Sequence, residues 1–164
     1  MSGQRGVVLL IGLALTLMLG LLSGSALQSA LLQERMAGNL QASVQALEQA
    51  EATLAEGERR LLQTLPPPCQ YCLPAPEAHE VEGAGRQGAS GLTWQATEQG
   101  FYVVQNLGES EQVAHMPQGQ PMTLLRVTSV SRERRARHVL ETVLALDENG
   151  ALQRIMWRQR LQEH

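Results

Sequence analysis

From Gly6 to Gln33 the chain carries no charged side chain, and Val7 to Leu27 is an almost unbroken run of Val, Leu, Ile, Ala and Met. Gly12, Thr16, Gly20, Ser23, Gly24 and Ser25 are its only softer members. As a helix rising about 1.5 Å per residue, residues 7–27 reach roughly 31 Å, which is one bilayer hydrocarbon core. Beyond it, Leu40, Val44, Leu47, Leu54, Leu61 and Leu65 are spaced 4, 3, 7, 7 and 4, one stripe of a helix, with most of Glu48, Glu51, Glu56, Glu58, Arg59 and Arg60 off it. Pro66-Pro67-Pro68 ends the pattern, because proline lacks an N–H and restricts the residue before it. The spacing therefore predicts one helix over residues 7–65, near 88 Å if unbroken, with Gly38-Asn39 and Gly57 as its weak points.

After the prolines the periodicity changes. Residues 69–91 are rich in Pro, Gly, Glu and Ala and predict a long surface loop. β-type runs follow at residues 101–107, 122–130, 137–146 and 151–161, with a weaker one around 92–96. Leu125, Val127 and Ser129 alternate with Leu124, Arg126 and Thr128, and Val139, Glu141, Val143 and Ala145 alternate with Leu140, Thr142, Leu144 and Leu146. Asp147-Glu148-Asn149-Gly150 predicts a hairpin turn, since Asn-Gly tolerates positive φ. The expected fold class is α+β: a long N-terminal helix, transmembrane in its first half, packed on a small antiparallel sheet of about four strands. The Leu40 to Leu65 stripe is the only amphipathic cover the pattern offers that sheet.

With 164 residues, one small domain and one additional element account for the length. All 13 basic residues are Arg, so chemistry that needs a P-loop or Schiff-base lysine is excluded. Aromatic residues are only 3% of the chain, and its apolar content is mainly Leu, Ala and Val. Arg5 and the amino terminus precede the apolar run, so the positive-inside rule puts everything after Leu27 outside the cytoplasm. Residues 34–119 hold 4 Arg against 11 Glu, a net −7, whereas residues 120–164 hold 8 Arg against 4 Glu and 1 Asp, a net +3, so the two halves attract. The densest basic cluster, Arg132 to Arg137, falls between two strands; it lacks interleaved aromatics and is expected to be a solvated hairpin, with an acidic partner as the alternative and no nucleic acid.

Cys69 and Cys72 are the only cysteines. Outside the cytoplasm they are expected to form a disulfide staple worth about 2 kcal/mol by loop-closure entropy. A redox-active pair would open a helix, which the flanking prolines oppose, and a zinc site would need His79 plus the remote His115 or His138. Asp147 is the single aspartate and sits in a turn; no nucleophile elbow is present, and His79, His115, His138 and His164 are scattered. The expectation is a chain without catalytic residues, cofactor or metal, hence not an enzyme.

Gln4-Arg5-Gly6 followed by the apolar run, then Leu32-Gln33-Glu34-Arg35-Met36-Ala37-Gly38-Asn39-Leu40 and the Ala/Glu-rich stretch to Leu54, resembles the type IV pilus minor pilins of the PilX family. The resemblance covers residues 4–54 in detail, and the rest only in its order of helix, loop and sheet. It implies a leader peptide at 1–6, cut between Gly6 and Val7 by a prepilin peptidase that methylates Val7. It further implies a transmembrane half-helix at 7–27, an amphipathic half at 28–65, and a globular head formed by 66–164 with 40–65. Ile11 stands where most pilins carry a glutamate that neutralises a neighbour's terminal amine. A carboxylate in lipid is kept only where it finds a partner, so its loss suggests a priming or tip subunit. The implied partners are other minor pilins, the major pilin, prepilin peptidase, the inner membrane and a large tip adhesin. The implied location is a single pass through the inner membrane with a periplasmic head, then the extracellular pilus. Two alternatives share parts of this reading: a minor pseudopilin of a type II secretion system, and a soluble periplasmic binding protein released by cleavage near Ala26. An uncut membrane anchor is the third.

Overall fold

The computed structural model describes residues 4–114, 116 and 119–161, so the first half of the proposed leader, His115 and His164 lie outside the described residues. One helix, α1, spans Gln4–Leu61. Six strands follow: β1 Gly85–Arg86, β2 Thr93–Ala96, β3 Gly100–Ser110, β4 Met122–Ser131, β5 Val139–Leu146 and β6 Leu152–Arg160. The chain separates into two compact units, residues 1–41 and 42–164. The first is helix alone, and all its large apolar side chains from Val7 to Leu40 are exposed. This helix, near the N-terminus, is long and apolar enough to cross a membrane.

α1 ends at Leu61, four residues before the expected Leu65. The amides of Gln63 and Thr64 both turn back to the Arg60 carbonyl, and Leu65, preceding Pro66, is biased away from helical geometry. Arg59 and Arg60 in the last turn favour the negative end of the helix dipole. Neither Gly38 nor Gly57 interrupts the helix.

In the second unit the sheet is an antiparallel meander in strand order β1-β2-β3-β4-β5-β6. It has six strands where the pattern predicted about four: the weak run became β2, and β1 is a two-residue pairing inside the expected loop, too short for any periodicity. The β5–β6 turn is the expected one. Asp147 Oδ1 accepts from the amides of Asn149 and Ala151, and Gly150 takes φ 82°.

The sheet is covered on both faces. On one face Ala50, Leu54 and Leu61 of α1 pack with Tyr102, Leu125, Val127, Leu140 and Leu144. On the other, Ala75, Ala78, Val81 and Trp94 pack with Phe101, Val103, Val130 and Val139. The second cover is the segment expected to be a free surface loop. A 3-10 turn at Pro76–His79 and the buried Val81 bring it onto the sheet against Val139, while Val113 and Met122 pack on Ala145, and β5 is buried at every position from Val139 to Ala145. Short, aperiodic apolar residues gave no pattern from which this cover follows.

Candidate assembly surfaces

Two kinds of surface are built on this fold: an unpartnered helical stem, and a head whose faces are fixed internally. Along the stem Val7, Ile11 and their neighbours present apolar side chains outward in every direction, the condition of a helix in lipid. Past the run that one bilayer accommodates, Leu32, Met36 and Leu40 continue at every fourth residue and remain exposed. Apolar side chains recurring at that interval lie along one side of a helix. Gly12, Gly20, Gly24 and Gly38 have nothing close to them, so these positions leave the helix backbone open to a near approach.

Of the six residues in the expected stripe, Leu54 and Leu61 are buried, and Leu47 is half-buried against the core. Leu40 and Val44 are 67% and 49% exposed, and Leu65 is also exposed. Beside Leu54 and Leu61, the helix turns a row of small residues to the sheet: Ala46, Ala50, Thr53 and Gly57. Gly57 marks the tightest approach, since a Cβ there would sit 2.7 Å from Val127 Cγ1 and 3.0 Å from Tyr102 Cδ2. The same side is tied by polar links. Ser129 donates to the Ala50 carbonyl at 2.8 Å, His138 joins Ser43 and Gln159 through its two ring nitrogens, and Arg154 of β6 donates to both Glu58 oxygens at 2.8 Å. Tyr102, its ring buried, donates to Gln95, and that burial pushes its hydroxyl up in pKa.

On the opposite face a polar row crosses four strands: Gln105 on β3, Arg126 on β4, Glu141 on β5 and Arg158 on β6. Glu141 is wholly buried; Arg158 donates to it at 2.7 Å, and Arg126 Nε lies 3.6 Å away. Burial pulls the Arg126 guanidinium down in pKa; Glu141 opposes that shift, and Arg158 and Arg160 add to it. The row holds the cysteine turn. Gln105 donates to the Tyr71 and Leu73 carbonyls at 2.6 and 2.9 Å, and Arg126 donates to the Cys72 carbonyl at 2.8 Å. Cys69 and Cys72 are disulfide-bonded, their Cα atoms 5.4 Å apart. The Cys69 amide donates to the Asn106 carbonyl, and the Asn106 carboxamide donates to the Pro66 carbonyl. The turn is therefore fastened to the sheet as well as closed on itself.

The basic β4–β5 connection is exposed at Arg132, Arg134 and Arg135, as expected of a solvated hairpin, and is also tied to the head. Arg132 lies over the Phe101 ring at 5.5 Å and donates to the Thr97 carbonyl, Arg134 pairs with Glu82, and Arg137 donates to the His79 carbonyl. His79 is held below its ordinary pKa first by burial and then by Arg160 and Arg137. Among the described residues no three His, Cys, Asp or Glu side chains gather around one point where a metal ion would sit.

Legibility differed among these parts. The exposed stem, the cysteines and the strand alternation were all readable from spacing. The Gln105–Arg126–Glu141–Arg158 row was not, because polar residues inside strands read as solvent-facing until a second cover is known; the available signal was that Glu141 alternates in phase with Val139, Val143 and Ala145. No protein-family model, characterised protein or solved structure matches the chain.

Proposed function

We propose that this chain is a minor pilin of the PilX type, anchored by its N-terminal helix and assembling through it into the initiation or tip complex of a type IV pilus. In this reading the chemistry is non-covalent, and Val7 becomes the methylated amino terminus once the bond after Gly6 is cut. The observation that carries it is the continuity of α1: one helix runs from Gln4 to Leu61, and its apolar residues from Val7 to Leu40 bury nothing within the protein. A secreted domain cut near Ala26 would split this helix and leave Leu31, Leu32, Met36 and Leu40 exposed to water with no membrane to justify them. An apolar row continuing past the bilayer fits helix-to-helix packing with neighbouring subunits.

Ile11 supports a low-copy position. Without a carboxylate inside the apolar run, the subunit has no means of neutralising the terminal amine of a pilin next to it, so it belongs where such a neighbour is absent. Quantifying subunits in sheared, purified filaments tests this: the expected result is a few copies per filament, and abundance comparable to the major pilin rejects the tip assignment. Restoring the carboxylate with Ile11→Glu is expected to increase incorporation along the shaft.

A further inference from the structure

We propose that the cleft between residues 74–80 and the end of β6 is a carboxylate-binding site that takes an acidic side chain of a partner polypeptide. Pro74, Pro76, His79, Arg158, Arg160 and Leu161 line it, with Glu80 at its side, and its volume is about 810 Å³. Arg158 and Arg160 are two residues apart on β6, so both side chains leave the same face of the strand, about 7 Å from one another. That face carries the Glu141 row, as the pairings Glu141↔Arg158 and Val139↔Arg160 require.

Each guanidinium is anchored by part of its donor set. Arg158 spends Nε and Nη2 on one oxygen of Glu141, at 3.0 and 2.7 Å. Arg160 gives Nη1 to the Ala75 carbonyl at 2.8 Å. A guanidinium has five N–H donors in a fixed fork, so each retains donors for a ligand while its position is held. His79 also lines the cleft, and among the described residues its buried Nε2 has no hydrogen-bond partner. Burial, then Arg160 and Arg137, hold the pKa of this imidazole below its ordinary value and so favour its neutral form.

The occupant follows from the lining. Arg126, Arg158 and Arg160 stand against Glu141 and Glu80, which leaves one positive charge in excess and favours an anion, and guanidinium forks match a planar carboxylate. The volume far exceeds that of a bare ion, and the walls at Pro74, Pro76 and Leu161 are apolar, which suits a carboxylate carried on an aliphatic stem. Among the described residues β6 is the edge strand of the sheet, and none of them pairs with its outer side. The site does not depend on how the stem is processed.

Arginine Nε–Hε resonances of the full chain, in micelles of a neutral detergent, read the site directly. A blocked peptide of alternating glutamate and leucine is expected to shift the Arg158 and Arg160 signals saturably, and its glutamine counterpart to leave them unmoved. Arg160→Gln is expected to weaken peptide binding at least tenfold, Arg160→Lys by less, and Arg86→Gln on β1 to leave it within twofold. Four results overturn the proposal: no saturable shift in the unmodified protein, equal binding of the glutamine peptide, equal weakening by Arg86→Gln, or shifts with inorganic phosphate but not with the peptide. The last would assign the cleft to free oxyanions instead.

Discussion

Residues 7–41 and residues 42–61 belong to one helix and both carry leucine and glycine, yet they use them in opposite ways. In the first stretch leucines point outward and glycines stand open. In the second, Leu54 and Leu61 are buried and Gly57 is pressed against Val127 and Tyr102. What separates them is burial: the sheet supplies apolar area to the later residues, and the large apolar side chains of the earlier ones are exposed. The same residue type therefore stabilises the head at one position and stays exposed at the other.

The largest expected effect lies in the head and has no counterpart in the stem. Glu141→Ala removes the buried counterion of Arg126 and Arg158 and is expected to cost about 3–5 kcal/mol in denaturant unfolding, as breaking buried pairs does. Glu34→Ala, on the exposed stem, is expected to stay within about 0.5 kcal/mol. If both variants unfold alike, the division between an internally stabilised head and a stem without internal partners fails.

Leucine truncation sharpens the comparison within α1. Leu54→Ala is expected to lose about 2–5 kcal/mol of head stability through lost burial and a residual cavity. Leu40→Ala is expected to leave the unfolding midpoint nearly unchanged and to reduce incorporation into filaments instead. Glycine substitution gives a smaller contrast of opposite sign. Gly57→Ala forces the Val127 and Tyr102 side chains to shift and is expected to cost about 1–3 kcal/mol, whereas Gly38→Ala is expected to gain about 0.5–1 kcal/mol of helix stability.

The positions in these pairs show what was readable in advance. The helix, the hairpin at Asp147–Gly150 and the alternation in β4 and β5 follow from local periodicity, and each has its place in the fold. The buried face of α1 did not follow from the leucines alone. Leu40 and Val44 share their spacing with Leu47, Leu54 and Leu61, but the close approach at Gly57 rotates the small residues Ala46, Ala50 and Thr53 onto the sheet. The second cover escaped for a related reason: Ala75, Ala78 and Val81 are too few and too irregularly spaced to announce a buried face, and Glu141 in particular resembled an outward strand position. Tertiary partners decided both.

The smallest expected effect is a pH dependence of the head alone. His79 has a folded-state pKa below its ordinary value of 6.5, so the unfolded chain binds the proton more readily. Stability is then full above about pH 6.5 and falls as the pH drops through that value toward the lowered folded pKa. His79→Gln is expected to flatten that part of the curve when unfolding midpoints are compared between pH 7.5 and 5.

The central claim is that the apolar stem stays on the mature protein and joins it to its neighbours. Mass spectrometry of the amino-terminal peptide from membrane and filament fractions tests it most directly. The account predicts a chain beginning at methylated Val7 in both fractions. A mature chain beginning at Leu27 and found in the soluble periplasm would contradict it, and an intact Met1 or Ser2 would leave the anchor but remove the pilin.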